Sequence, residues 1–209
     1  MASGCLAKVV FSDARHNFLL HDLAAVGVLL FTPVIFGLSG LNARMAAQPM
    51  EIVSAVIGTI LMTPVFMPEQ NENIRDVVCA RKTSHILVCF LRLLLAAILA
   101  VLLTGVLALW MRHSGSEVSL RLFAGAAGNA LALGSLGFFA SAVGDNAVIG
   151  YMTAFSYFFA DLFLREKLGV FDLFTFSQGK TAVNLWLYVT AAVLVSAALA
   201  FRRLSALRS

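Results

Sequence analysis

Six long apolar runs, separated by short polar connections, constrain the fold of this chain more than any other feature. A helix needs about 20 residues to cross the roughly 30 Å of membrane hydrocarbon. We predict spans at about 22–40, 50–67, 86–111, 119–143, 147–164 and 182–201. Charged residues make up only 12% of the chain and hydrophobic residues 60%, far from the composition of soluble domains. The sequence therefore predicts an all-α, polytopic membrane protein with one transmembrane domain over residues 1–209.

The fourth run is crowded with Gly, Ala and Ser, from Leu122 to Gly144. Small residues let helix backbones approach closely in lipid, where no hydrophobic force drives helices together. We expect this helix at the centre of the bundle. Asp145 and Asn146 follow it, and both are good N-cap residues for a fifth helix that starts at Ala147.

Two further segments are predicted to lie along the membrane surface. Residues 4–20 place apolar and polar side chains on opposite sides of a helix, which predicts an interfacial helix; a ragged extension of the first span is the alternative. Residues 165–181 are too polar to span but carry several Phe and Leu residues. We interpret them as a segment inserted into the outer leaflet.

The positive-inside rule favours cytoplasmic termini by a small margin. This orientation puts eight bases inside and five outside. The inside set is Lys8, Arg15, Arg75, Arg81, Lys82, Arg202, Arg203 and Arg208, and the outside set is Arg44, Arg112, Arg165, Lys167 and Lys180. Because these bases lie at span ends rather than on one face, the net charge of +4 does not predict nucleic-acid binding.

The stretch Pro68–Ser84 concentrates six charges between two apolar runs. Its acids come first and its bases mostly last, the order that a helix dipole favours. The acids are Glu69, Glu72 and Asp76, the bases are Arg75, Arg81 and Lys82, and Ile74, Val77 and Val78 share one face. The pattern predicts a short amphipathic helix at the cytoplasmic surface, where it is available to a partner.

Asp161 and Arg92 are the candidate functional residues within the spans. An intramembrane carboxylate is a functional candidate by default, but Arg165 follows Asp161 at i+4, so we favour a charge pair near the outer interface. Arg92 lies about two turns from the cytoplasmic end of its span, so it can reach the headgroups or hold the charged stretch through Glu69 or Glu72.

The sequence gives no sign of catalysis or of a bound cofactor. Gly179-Lys180-Thr181 resembles the tail of a phosphate-binding loop, but Phe174 stands where that loop needs a glycine. The four histidines fall at four different membrane boundaries, so they do not predict a metal site. Neither a Ser/His/Asp order nor HExxH is present. We expect neither an enzyme nor a cofactor-binding chain.

The succession of these features resembles the ABC-2-type transporter permeases, in particular the short single-domain permeases of bacteria. The residues that carry the resemblance are Met67-Pro68-Glu69-Gln70, Ile74-Arg75-Asp76-Val77-Val78, Arg81-Lys82-Thr83-Ser84 and then Arg92. They are similar to the family's acidic residue at the end of the second span, its short helix and its basic turn into the third. Asn73 and Ala80 depart from the pattern, because the family often has glycine and proline there.

The resemblance implies a transmembrane subunit, most often of an exporter, in the bacterial plasma membrane. Two such subunits, identical or different, pair around a translocation path and dock two separate ATPase subunits that bind the ATP. Pro68–Ser84 would then be the coupling helix, with Glu69, Glu72, Ile74, Arg75, Asp76, Val77, Val78, Arg81 and Lys82 as its contact residues. The small-residue interior favours a lipid, a peptide or a hydrophobic drug as substrate.

Two other classes of function remain open from the sequence. One is an ATP-independent carrier or channel in which Asp161 titrates or binds a cation. The other is a membrane-embedded accessory or immunity protein that binds a peptide at the outer face through residues 165–180.

Overall fold

The computed structural model describes residues 18–69, 85–164, 169, 171–180 and 182–206. These residues form six α-helices and one 3-10 helix. The α-helices are α1 (Leu19–Phe36), α2 (Ala43–Met62), α3 (His85–His113), α4 (Leu120–Gly144), α5 (Ala147–Leu164) and α6 (Leu185–Ala206), and the 3-10 helix η1 (Thr63–Glu69) continues α2. Each α-helix, α2 together with η1, is long and apolar enough to cross a membrane. The chain is therefore an all-helical, multi-pass membrane protein.

The helices alternate in direction, so the bundle has two ends of different construction. Between α5 and α6 lie residues 171–180, which we call the insert, and the end that holds it is the insert end. The opposite end, where η1 finishes at Glu69 and α3 begins, is the linker end. In the sequence, the predicted coupling stretch connects η1 to α3.

Two helices form the interior. The apolar windows of α2 with η1 and of α4 are 78% and 72% buried, against 28% or less in the other four helices. The central position predicted for α4 is correct, since it packs against α2, α3, α5 and α6. The outer helices turn large apolar side chains such as Val34, Leu109 and Phe163 outwards, as a lipid-facing surface requires.

Glycine lets α2 and α4 cross in near backbone contact. A Cβ atom on Gly58 would collide with the backbone of Ala130, and one on Gly134 would lie 2.6 Å from the carbonyl oxygen of Gly58. Any larger residue at these positions would push the two interior helices apart. The small residues of α4 thus allow the close helix packing that the sequence predicted.

Three helix boundaries differ from the predicted spans. The first helix stops at Phe36 instead of residue 40, because Gly37 takes a positive φ of 59°. The second begins at Ala43, seven residues before the predicted start at 50. The sixth begins at Leu185 and continues to Ala206. Of the two predicted N-caps, Asn146 accepts a hydrogen bond from the Val148 N–H at 2.8 Å, whereas Asp145 ends α4 in the left-handed region.

Candidate functional site: a buried insert between α5 and α6

The insert passes deep into the bundle instead of lying on it. Asp172, Leu173 and Phe174 are almost fully buried. The insert's contacts reach Glu51, eight residues after the start of α2, and Asn129, nine residues after the start of α4. At 1.5 Å per residue these contacts lie about 12–14 Å below the helix ends. The predicted outer-leaflet segment is therefore enclosed by protein at residues 172–175, whereas Phe171, Gly179 and Lys180 are exposed.

Glu51 holds the second half of the insert. Its Oε1 accepts a hydrogen bond from the backbone N–H of Phe176 at 2.8 Å, and its Oε2 accepts one from that of Ser177 at 3.1 Å. The side chain itself is fully buried. Hydrogen bonds from N–H groups to a carboxylate are stronger than neutral ones. One side chain of α2 therefore satisfies two successive backbone donors that no helix or strand would pair.

Leu173 has both of its backbone groups bound by side chains from two different helices. Its N–H donates to Oδ2 of Asp161 in α5 at 2.9 Å. Its carbonyl oxygen accepts from Nδ2 of Asn129 in α4 at 2.6 Å. Asp161 and Asn129 are both buried, so this residue fixes the insert between α4 and α5.

Further contacts hold the two ends of the insert. The Tyr157 hydroxyl donates to the carbonyl oxygen of Phe171 at 2.6 Å. The Arg44 guanidinium donates through Nε to the carbonyl of Ser177 at 3.1 Å and through Nη2 to that of Gln178 at 3.2 Å. Side chains of α2, α4 and α5 thus bind the insert from Phe171 to Gln178.

Asp172 stabilises the turn of the insert from within. Its Oδ1 accepts from the Phe174 N–H at 2.9 Å, and its Oδ2 lies 3.6 Å from Nζ of Lys180. The Asp172 side chain is buried, whereas the Lys180 side chain is half exposed. Asp172 therefore connects the buried start of the insert to its exposed end.

The physical reason for this arrangement is the cost of unpaired backbone at membrane depth. Non-helical backbone is tolerated there only where it is buried in protein or lines a cavity, because lipid offers no hydrogen bonds. Each unsatisfied buried N–H or C=O group costs about 1–3 kcal/mol. Together, Arg44, Glu51, Asn129, Tyr157 and Asp161 remove that cost, and they make the insert a fixed part of the bundle.

The linker end satisfies its broken backbone with hydroxyl groups. Pro64 has no N–H, so the carbonyl of Ile60 loses its helical partner. The Tyr151 hydroxyl of α5 donates to that carbonyl at 3.1 Å, and the Ser141 hydroxyl of α4 donates to the carbonyl of Thr63 at 3.1 Å. These bonds hold η1, which leads into the predicted coupling stretch.

The aromatic ring of Phe66 in η1 packs between two further groups at the linker end. It stacks on Phe138 of α4 with ring centroids 4.6 Å apart. The guanidinium carbon of Arg202 in α6 lies 4.7 Å from the Phe66 centroid, and Arg202 also pairs with Asp145 at 2.7 Å. A displacement of η1 would therefore disturb its contacts with both α4 and α6.

Most of the predicted coupling residues lie outside the described residues. Glu69 is the last residue of η1. The other eight are Glu72, Ile74, Arg75, Asp76, Val77, Val78, Arg81 and Lys82, and their role stays a prediction. The predicted interfacial helix 4–20 is described only from residue 18, and residues 19 and 20 belong to α1.

The two intramembrane candidates have different surroundings. Arg92 lines a small cavity of about 80 Å³ with His21 and Asp22 of α1, near the linker end. Asp161 binds the backbone of Leu173, whereas Arg165, its predicted partner, is outside the described residues. Asp161 thus helps to position the insert, a role that the predicted charge pair did not include.

Glu51, Asn129 and Tyr157 did not stand out in the sequence. A second span that begins at residue 50 places Glu51 at the membrane surface, whereas the observed start of α2 at Ala43 puts it at depth. A carboxylate within an otherwise apolar run was the available signal. Asn129 offered a similar signal as the single amide in the small-residue helix.

No family model matches the sequence, and neither the curated proteins nor the solved structures that were searched contain a match.

Proposed function

We propose that this chain is the transmembrane permease subunit of an ABC-2-type ATP-binding cassette transporter, acting as an exporter. The observation that carries the proposal is the insert between α5 and α6, which is buried at the end of the bundle opposite η1 and the start of α3. A six-helix layout with a segment inserted before its last span resembles these permeases. In this proposal the linker end and both termini face the bacterial cytoplasm, and the insert end faces outwards.

Helix α2 offers a physical route for coupling. It is an interior helix, it holds the insert through Glu51, and through η1 it leads directly into the predicted coupling stretch. Motion of an ATPase docked on that stretch would act first on η1. Because Pro64 already interrupts the helical backbone, a change in the direction of η1 would mainly strain the side-chain hydrogen bonds from Tyr151 and Ser141. The interior helices would then carry the displacement towards the insert.

The chain contributes no chemistry of its own in this proposal. The ATPase subunits bind and hydrolyse ATP, and a second copy of this chain or a different permease subunit completes the path. Membrane lipid surrounds α1, α3, α5 and α6, whose outward side chains are apolar. The bundle would have two states, and the docked ATPases would bind one of them more tightly once ATP closes the ATPase dimer. ATP binding would therefore shift the bundle from one state to the other.

The proposal is tested by expressing the chain beside candidate ABC ATPases and extracting the membranes in mild detergent. We expect an ATPase to co-purify with the unaltered chain. Charge reversal of Arg81 and Lys82 to Glu should abolish co-purification or substrate-stimulated ATP hydrolysis while membrane insertion persists. The matched control is Arg112→Glu at the opposite end, which should leave both intact. Failure of every candidate ATPase to co-purify would refute the proposal.

An ATP-independent carrier is the second candidate, and one observation favours it. Oδ1 of Asp161 is buried and has no hydrogen-bond partner among the residues that the structure describes. Transport into liposomes by the purified chain without ATP would support this candidate. Asp161→Asn keeps an acceptor for Leu173 and removes the charge, so loss of that transport in a folded variant would assign it to the carboxylate.

A further inference from the structure

A groove of about 570 Å³ opens at the insert end beside the buried insert. Its walls come from the start of α2, the start of α4 and the end of the insert. Leu120 and Phe176 supply apolar surface, and Arg44, Arg121 and Lys180 supply three positive charges. The groove is thus amphipathic, and it lies at the level of the helix ends, where hydrocarbon meets the polar headgroups.

The charges around the groove do not cancel. Lys180 is paired with Asp172, and Glu117, the acid that lines the groove, accepts a hydrogen bond from the Ala43 N–H at 3.2 Å. The Arg44 guanidinium donates to two backbone carbonyls, which are neutral, so it keeps its positive charge. Arg121 is exposed. The net charge of the five groups is therefore positive, since there are three bases and two acids: Arg44, Arg121, Lys180, Asp172 and Glu117.

The lining favours a lipid over a soluble anion or a peptide. A soluble anion would gain nothing from the apolar wall. A peptide would bring its own N–H and C=O groups against that wall, where nearby backbone donors are already taken: the Ala43 N–H binds Glu117 and the Leu122 N–H binds the Ser119 hydroxyl. An acyl chain needs no such partners, and a phosphate accepts hydrogen bonds from guanidinium groups.

We propose that this groove binds a phospholipid with a net negative headgroup, of the phosphatidylglycerol type, from the leaflet at the insert end. The headgroup phosphate lies between Arg44 and Arg121, and an acyl chain lies along Leu120 and Phe176. Because the groove contacts the insert through Phe176, Gly179 and Lys180, the bound lipid stabilises the insert's exposed end. This site is independent of the proposed transport function, since it uses no residue of the linker end.

The test is native mass spectrometry of the purified full-length chain in detergent, titrated with three probes. They are phosphatidylglycerol, phosphatidylcholine with the same acyl chains, and glycerol phosphate, which has no chains. We expect tight retention of one phosphatidylglycerol, at least fivefold weaker retention of phosphatidylcholine, and none of glycerol phosphate. Equal retention of the two lipids, or binding of glycerol phosphate alone, would overturn the proposal.

Variants locate the site. Arg121→Gln should weaken phosphatidylglycerol retention about fivefold, the contribution of one base near a charged lipid surface, and Arg121→Lys should restore most of it. Arg112→Gln is the matched control, because Arg112 is an exposed base at the same end that does not line the groove. An equal loss in both Gln variants would show a diffuse surface effect and refute the site. Because Arg121 is exposed, its substitution leaves the core intact, and thermal unfolding of each variant verifies this.

Discussion

The two ends of the bundle solve the same problem, broken backbone at membrane depth, and both use side chains that donate to carbonyls; the insert end adds buried carboxylates. At the insert end, buried carboxylates accept from backbone N–H groups: Glu51 binds Phe176 and Ser177, and Asp161 binds Leu173. At the linker end, the hydroxyls of Tyr151 and Ser141 donate to helix carbonyls. Charged acceptors form the stronger hydrogen bonds, and their loss leaves the larger penalty.

The difference indicates which end is built to stay in place. Removing Glu51 would strand two buried donors, so the insert cannot leave its site without a large cost. Removing one hydroxyl at the linker end affects a single carbonyl, and carbonyls tolerate an unmet hydrogen bond better than N–H groups do. We infer that the insert end is a fixed support and that η1, although Val65 and Phe66 are buried, is displaced more easily because its hydrogen bonds are weaker.

The largest expected effect comes from Glu51→Leu. It should lower the free energy of unfolding by about 2–6 kcal/mol, because two buried N–H groups lose their acceptor at about 1–3 kcal/mol each. Thermal unfolding in detergent measures this loss. Glu51→Gln is the control, since its amide oxygen still accepts one of the two bonds and should retain much of the stability. Equal stability of the Leu variant and the unaltered chain would contradict a fixed insert.

Next in size is the crossing of the interior helices, which connects the two ends. Gly58→Ala should lower the free energy of unfolding by about 1–3 kcal/mol through overpacking against Ala130. Gly27→Ala in α1 is its matched control, since a Cβ there meets nothing within 4 Å. That substitution should instead be neutral or stabilise by up to about 1 kcal/mol. Similar losses for both variants would mean that the close α2–α4 crossing is wrong.

At the linker end, Tyr151→Phe should cost about 0.5–1.5 kcal/mol, the net value of one hydrogen bond. Pro64→Ala sharpens the experiment, because it restores an N–H that is able to pair with Ile60. In that background Tyr151→Phe should cost less, and a double-mutant cycle in chemical unfolding gives the coupling. A cycle without coupling would show that Tyr151 does not serve the carbonyl freed by Pro64.

The smallest effect is expected for Asp145→Asn. The pair between Asp145 and Arg202 is partly exposed, and such pairs contribute about 0.2–1 kcal/mol. Raising the salt concentration should remove most of the difference between this variant and the unaltered chain. A loss above about 2 kcal/mol would show that the linker end is held as firmly as the insert end.

Features that follow from local sequence patterns were predicted, whereas contacts between residues far apart in the sequence were not. The helices and the central place of α4 followed from apolar length and small residues, which are local patterns. The anchoring of the insert did not, because the bonds to Leu173 join residues 12 and 44 positions away. Glu51 was missed through a seven-residue error in the start of α2. Helix boundaries are the least secure part of a sequence-based assignment, and here one boundary decided whether an acid lay at the surface or in the core.

The most direct test of the fixed insert and the movable η1 is amide hydrogen exchange on the full chain in lipid nanodiscs. Peptides covering residues 173–177 should exchange as slowly as the interior of α4, because their N–H groups at Leu173, Phe176 and Ser177 bind buried carboxylates. Peptides covering 63–69 should exchange faster, closer to the connection at 37–42. Fast exchange at 173–177 together with slow exchange at 63–69 would contradict the account.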